Sequence, residues 1–335
     1  MEESYKIWSD FLKDYEFKDN DELKLGEGPF GTVYKVTSVQ FGATYIAKIC
    51  HLKDEEHFNS FLAYVPKILQ AKHDNLLRTI QIFMDKQEAS SQFRVIFVQE
   101  YFEVNMQTEL KRRNESDYPD NFTSPETFKF LHNVFNCMDY IQKNGLELRD
   151  FKPSNFFVTH DESYKIGGLV ETYLYKSSPE GYYSFKLGEG SNQPSDADSL
   201  MSDLCKGVLD KNMYKADVRS LCLCLLNILS LEKDKDLMNS EKEIRALIDK
   251  LKTSIPCELV NLFHFMCASK SFLRSDFIML KKMKDKPMNQ KSRDHKLDRI
   301  LIDEEGFVEE SKVDLSSSLG KLSYEADYVY HLYIW

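Results

Sequence analysis

The sequence predicts a two-lobed α+β protein with a strand-rich first third and a helix-rich remainder. Residues 23–50 contain three short segments rich in β-branched and aromatic residues, each interrupted by glycine, which is typical of strands. The apolar segment 93–102 predicts a further, buried strand. Residues 218–230 are apolar on every side, which is typical of a buried central helix. Hydrophobic residues make up 42% of the 335-residue chain, enough to form the cores of both lobes.

The remaining elements follow from helical spacing and from the residues that begin and end helices. Segment 54–71 has apolar residues at helical spacing, but Pro66 predicts an interruption. The next helix is expected to have Ser124 as its N-cap and to end at Gly145. From about residue 283 the sequence becomes polar and charged, and it ends in a short aromatic segment.

Charge and cysteine content limit the expected partners and compartment. The net charge of -10 argues against nucleic acid or an anionic membrane surface as the main partner. Seven cysteines without a CxxC pair, and no apolar leader at the amino terminus, indicate reduced thiols and a cytoplasmic protein, with the nucleus as the alternative. No apolar run approaches the roughly 18 residues of a membrane span, so none is expected.

A glycine-rich stretch, LGEGPFGTV, places glycines at positions 26, 28 and 31. A dinucleotide-binding fold would need a helix directly after the third glycine. The continuation TVYKVTSV favours a strand instead, so the loop is expected to join two strands. Glycines there would let the backbone approach phosphate groups closely. A glycine-rich hairpin without a ligand is the alternative.

The stretch LRDFKPSN carries the most specific pattern in the chain. Asp150 and Asn155 lie five residues apart, with Lys152 between them. An acid and an amide at this spacing suit phosphoryl transfer. Together with the glycine-rich stretch and Lys48, 22 residues after Gly26, this pattern resembles the eukaryotic protein kinase family. Lys152 followed by proline resembles its Ser/Thr branch.

The resemblance covers about residues 21–282 and implies a bilobal protein-kinase-like fold. It implies a β-rich N-lobe at 21–103 and a helical C-lobe at 104–282. Residues 1–20 would then form an N-terminal extension, and residues 283–335 a polar tail that ends in the aromatic segment.

The resemblance also implies roles for individual residues. Asp150 would accept the proton of the substrate hydroxyl, Lys152 would add charge for the γ-phosphate, and Asn155 would bind a metal ion. Asp217 matches the aspartate that caps the backbone of the catalytic loop. The residues assigned to ATP are Gly26, Gly28, Gly31, Val33 and Lys48.

Two departures from the family pattern remove charge from the implied site. The Asp-Phe-Gly triplet falls on residues 168–170, so Gly168 replaces the main magnesium ligand, and Glu171 is at the wrong register to replace it. The helical glutamate that should pair with Lys48 falls on Tyr64 or, one register later, on Val65. Magnesium binding is therefore expected to be weak or absent.

Apolar positions of the family pattern are kept. Ile68, Leu148 (in place of the catalytic-loop histidine) and Leu169 can still form a packed column. Ile46 and Phe157 add bulk on either side of the expected adenine slot. Two interpretations are equally favoured: the two side chains fill the slot, or the lobes lie slightly farther apart and ATP still fits.

The sequence therefore favours a pseudokinase over an active kinase. Such a protein would act as a scaffold or allosteric regulator in signalling, with protein partners that include an active kinase as one candidate. The alternative is an active, unorthodox serine/threonine kinase, favoured by the intact glycines, Lys48, Asp150, Lys152 and Asn155. An unrelated nucleotide-binding enzyme is a remote third interpretation.

Overall fold

The computed structural model describes the chain from residue 6 to residue 285 with gaps. The described residues are 6–18, 20, 22–28, 31–52, 54–86, 93–115, 121–177, 214–231, 241–252, 257–267 and 276–285. Within them, an antiparallel sheet forms the first lobe and helices dominate the second, so the predicted bilobal α+β fold is confirmed. Residues 286–335 of the predicted tail lie outside the described part of the chain.

The N-lobe sheet has the strand order β1-β3-β4-β6-β5, with β2 paired to β3, and every pairing is antiparallel. Its strands are β1 (Tyr15–Glu16), β2 (Lys24–Gly28), β3 (Gly31–Ser38), β4 (Thr44–Leu52), β5 (Thr79–Lys86) and β6 (Phe93–Glu100). Strand β6 lies between β4 and β5 and is buried along most of its length. This position explains its nearly continuous apolar sequence. A second small sheet contains β7 (Val104–Asn105), β8 (Phe156–Val158) and β9 (Tyr164–Ile166).

Helices pack around these sheets and form most of the second lobe. They are α1 (Trp8–Asp14), α2 (Glu55–Leu62), α3 (Val65–Gln70), α4 (Met106–Glu115), α5 (Ser124–Lys143), α6 (Leu169–Lys176), α7 (Tyr214–Ser230), α8 (Glu241–Leu251), α9 (Cys257–Met266) and α10 (Phe277–Asp285). The predicted interruption of segment 54–71 occurs between α2 and α3. Pro66 lies in the first turn of α3, where a missing N–H group costs little.

Helix α5 begins with a capping box one residue earlier than the sequence suggested. The side chain of Thr123 accepts a hydrogen bond from the backbone N–H of Glu126, and the carboxylate of Glu126 accepts one from the N–H of Thr123. The prediction of Ser124 as the N-cap is therefore wrong by one residue, because the reciprocal partner lies three residues after Thr123. Gly145 follows the helix with φ of +58°, in agreement with its predicted role.

The amino-terminal segment packs onto the N-lobe sheet. Strand β1 pairs with β3, and Phe11 of α1 is fully buried. The Phe11 ring lies 5.4 Å from the ring of Phe83 and 5.5 Å from that of Tyr15, measured between centroids. These aromatic contacts enlarge the apolar core on this side of the sheet.

The predicted apolar column is buried in the large core that spans both lobes. Ile68, Leu148 and Leu169 are each at most 3% exposed and belong to the same hydrophobic cluster. Val218 and apolar residues that follow it in α7 also belong to that cluster. The packing expected for an intact kinase-like fold is therefore present where the structure describes it.

Leu169→Ala tests whether this column stabilises the fold. Truncating the buried leucine side chain to a methyl group should leave a cavity and lower the free energy of unfolding by about 2–5 kcal/mol. Leu12→Ala is the matched control, because Leu12 is 47% exposed and its truncation should change stability little. Both effects are measured by denaturant unfolding. Equal stability of Leu169→Ala and the wild type would contradict the assigned packing.

Candidate nucleotide and catalytic site

The glycine-rich hairpin is formed by the facing ends of β2 and β3. Gly26 faces Val33, and Gly28 faces Gly31, across this antiparallel pair. Gly31 has φ of +133°, and a Cβ atom there would lie 2.0 Å from the carbonyl oxygen of Ile49. Position 31 therefore requires glycine because both the backbone conformation and the neighbouring strand exclude a side chain.

The sheet register brings the predicted nucleotide-binding residues to one region. Val33 faces Gly26 on one side and Lys48 of β4 on the other. Ile46 is two residues before Lys48 on the same strand, so both side chains point to the same face. The hairpin and the lysine are thus placed together by strand pairing alone.

Lys48 forms a mostly buried ion pair with Glu171 of α6. The Nζ atom lies 2.5 Å from Oε1 of Glu171, and the two side chains are 11% and 14% exposed. Burial alone would lower the pKa of Lys48, but the Glu171 carboxylate outweighs it and holds the pKa above its usual value. Burial likewise would raise the pKa of Glu171, but Lys48 keeps it below its usual value. Both groups are therefore charged at neutral pH.

This ion pair corrects one inference from the sequence. Tyr64 and Val65 cannot pair with Lys48, yet the lysine has a partner from the segment that follows Gly168. Sequence reasoning considered Glu171 only as a metal ligand and therefore missed it. The sequence signal for this partner was the position of Glu171, two residues after Leu169 of the packed apolar column.

Asp150, Lys152 and Asn155 of the LRDFKPSN stretch form one hydrogen-bonded cluster. Lys152 Nζ donates to Oδ2 of Asp150 at 2.6 Å. Asn155 Nδ2 donates to the backbone carbonyl of Asp150 at 2.7 Å and to its Oδ2 at 3.0 Å. A short 3-10 turn, Pro153–Asn155, brings the amide back to the acid. The arrangement holds the Asp150 carboxylate in place as an acceptor of hydrogen bonds.

Gly168 lies directly against this cluster and presents no carboxylate to it. Its φ is +101°, and a Cβ atom there would lie 3.1 Å from Nδ2 of Asn155 and 3.4 Å from the backbone oxygen of Asp150. Among the described residues, no group of three or more acidic, histidine or cysteine side chains is placed to hold a metal ion. Position 168 therefore supplies no carboxylate beside Asn155 to the magnesium site that the family pattern implies.

The loop that contains Asp150 is joined to α6 by hydrogen bonds. The backbone N–H of Arg149 donates to the hydroxyl of Thr172 at 3.2 Å, and that hydroxyl donates to the carbonyl of Gly168 at 2.9 Å. Beneath the loop, burial raises the pKa of Asp217 to about 7, although Arg149 partly offsets the rise. The loop and α6 thus form one connected unit.

The expected adenine slot is bordered by side chains that are only partly buried. Ile46 and Phe157 both retain exposed surface. The Phe157 ring lies so close to Gly167 that a Cβ atom at that glycine would be 2.9 Å from it, and its centroid is 6.1 Å from that of Phe102. The two interpretations from the sequence, that these side chains fill the slot or that ATP fits beside them, both stay predictions.

Comparison with known proteins identifies similarity over the first half of the chain. The model of the protein kinase domain matches residues 20–180. Cyclin-dependent kinase 9 of Danio rerio is 28% identical over 175 residues, which cover 50% of this chain and 46% of the relative. Cyclin-dependent kinase-like 1 of Caenorhabditis elegans is 25% identical over 146 residues, covering 43% and 38%. LIM domain kinase 1 of Drosophila melanogaster is 28% identical over 177 residues, covering 52% and 13%.

The chain therefore matches less than half of the length of each of these relatives. In the part of the chain that the structure describes, no helix is both long and apolar enough to cross a membrane.

Gly168→Ala tests the crowding at the position of the missing metal ligand. Alanine at this position would have to adopt an unfavourable positive φ, and its methyl group would press on Asn155. The free energy of unfolding should therefore fall by about 1 kcal/mol or more. Gly26→Ala is the control, because nothing lies within 4 Å of its added Cβ and its φ is not positive. Thermal unfolding measures both variants. A Gly168→Ala protein as stable as the Gly26→Ala protein would contradict the described backbone.

Proposed function

We propose, on the premise that this chain belongs to the eukaryotic protein kinase family, that it is a catalytically impaired member acting as a scaffold or allosteric regulator in signalling. The observation that carries the proposal is Gly168, which offers no carboxylate to a metal ion and packs against Asn155. In the proposal, residues 21–103 and 104–282 are the two lobes of the kinase-like domain.

The missing ligand has a large expected effect on phosphoryl transfer. In this reaction metal ions bridge the β- and γ-phosphates and neutralise developing charge, which lowers the barrier by several kcal/mol. Because about 1.4 kcal/mol corresponds to a factor of ten in rate, losing most of this stabilisation slows transfer by several orders of magnitude. Asn155 alone would hold a metal only weakly.

The residues that are kept support binding and packing roles. A protein kinase domain is in general an ATP-binding domain, and the residues proposed to contact a nucleotide are Gly26, Gly28, Gly31, Val33 and Lys48. Asp150 and Lys152 are proposed to be the remaining catalytic groups. Paired to each other at 2.6 Å, they form a locally neutral cluster rather than a free cationic site for the γ-phosphate.

We propose protein partners for this regulator, with an active kinase as one candidate. The acidic net charge of -10 favours a protein over nucleic acid as the main partner. A cytoplasmic or nuclear location is proposed from the cysteine content of the sequence.

An active serine/threonine kinase is the second candidate function, and one observation favours it. The ion pair between Lys48 and Glu171 restores an orienting partner that the helical position of Tyr64 lacks. Lys48, Asp150, Lys152 and Asn155 would then meet the other requirements of the reaction. The missing metal ligand at Gly168 is the reason that this candidate ranks second.

A turnover assay separates the two candidates. Purified protein is incubated with labelled ATP, Mg²⁺ and generic protein substrates, and Asp150→Asn serves as the matched inactive control. The wild type should transfer no more phosphate than the control. Thermal unfolding with ATP should also give the same midpoint with and without Mg²⁺, because only a complex that needs the metal would be stabilised further by adding it. Robust turnover that disappears in Asp150→Asn would overturn the proposed function.

A further inference from the structure

The partner of Lys48 comes from the segment after Gly168 instead of from the helices next to the sheet. Helix α2 has acidic residues only in its first turn, and both, Glu55 and Glu56, are exposed. Helices α2 and α3, which lie between strands β4 and β5 in the chain, therefore place no carboxylate next to Lys48. Glu171 reaches it from α6, across 123 positions of sequence.

We propose that Glu171 is the positioning residue for Lys48, and that α6 makes this positioning conditional on its own helical structure. Glu171 can hold the ammonium group of Lys48 in place only while α6 is folded against α2 and α3. Changes in the segment after Gly168 would then be transmitted to the candidate nucleotide site. This inference does not depend on whether phosphoryl transfer is lost.

Contacts on neighbouring residues of α6 hold Glu171 in place. His57 Nε2 of α2 lies 2.9 Å from the carbonyl oxygen of Leu174. The rings of Tyr64 and Tyr173 pack with their centroids 4.8 Å apart. These contacts join α6 to the helices on which the family pattern would place the glutamate. Position 64 thus carries no acid. Its tyrosine ring packs instead against α6, the helix that carries Glu171.

The electrostatic balance makes Lys48 sensitive to Glu171. Lys48 is mostly buried, so the ammonium form depends on the nearby carboxylate to offset its loss of hydration. The second oxygen of Glu171 is buried and has no hydrogen-bond partner among the described residues, and Lys48 is the largest of the influences that keep this carboxylate charged. Removing the negative charge should lower the pKa of Lys48 and leave the amine more reactive.

Acylation of Lys48 provides a direct test that does not need a bound nucleotide. The protein is treated at pH 8 with a small N-hydroxysuccinimide ester, and labelling is followed by peptide mass spectrometry. The exposed Lys111 of α4 is the internal reference. In Glu171→Gln, Lys48 should label severalfold faster relative to Lys111, since losing the carboxylate lowers the pKa of Lys48 and raises the fraction of neutral amine at pH 8. Glu56→Gln should leave the relative rate unchanged.

Two further variants keep the test decisive. If Glu171→Gln does not fold, Glu171→Asp is used, whose shorter side chain keeps the charge but cannot maintain the 2.5 Å contact, and the relative rate should still rise. Tyr173→Gly, which removes the ring contact with Tyr64 and weakens α6, should raise it with Glu171 still present. An unchanged relative rate in the folded Glu171 variant would overturn the positioning role. A rise in Glu171→Gln without one in Tyr173→Gly would overturn the dependence on α6.

Discussion

The ion pair between Lys48 and Glu171 is the interaction on which the rest of the candidate site depends. It connects the central strand β4 of the N-lobe to the segment that begins at Gly168, and both partners are mostly buried. A buried charge is tolerated only when it is paired, and removing one partner of such a pair typically costs about 3–5 kcal/mol. The placement of α6, and with it the route of the chain after Gly168, is therefore tied to the charge of one lysine.

The site as a whole lacks a carboxylate at position 168 and keeps its buried apolar packing. Ile68, Leu148 and Leu169 remain buried in one continuous core. Asp150, Lys152 and Asn155 are hydrogen-bonded to one another. A protein with these properties keeps the shape of a kinase domain, and that shape is what a scaffold or an allosteric regulator would use.

Much of the fold could be predicted from the sequence because its signals are local. The glycines at 26, 28 and 31, the apolar strand β6 and the interruption at Pro66 each depend on neighbouring residues, and each was placed correctly. The N-cap of α5 was assigned one residue too late, because Ser124 and Thr123 are both good caps and only the reciprocal bond with Glu126 distinguishes them.

The partner of Lys48 could not be predicted in this way. The pair joins residues 123 positions apart, and the position of Glu171 two residues after Leu169 does not by itself establish that α6 turns it towards β4. The crowding between Gly168 and Asn155 is similarly a matter of tertiary placement. The spacing of the motifs shows that position 168 carries glycine instead of the family's aspartate. It does not show that Glu171 pairs with Lys48.

Direct measurement of metal binding tests the central claim that the site has lost its metal. Mn²⁺ can stand in for Mg²⁺, and its electron paramagnetic resonance signal reports the free ion during titration of the protein in the presence of ATP. Because Gly168 supplies no carboxylate, the protein should bind no Mn²⁺ beyond the amount that ATP alone binds. A stoichiometric, protein-dependent site that disappears in Asn155→Ala would contradict the claim and restore the case for an active kinase.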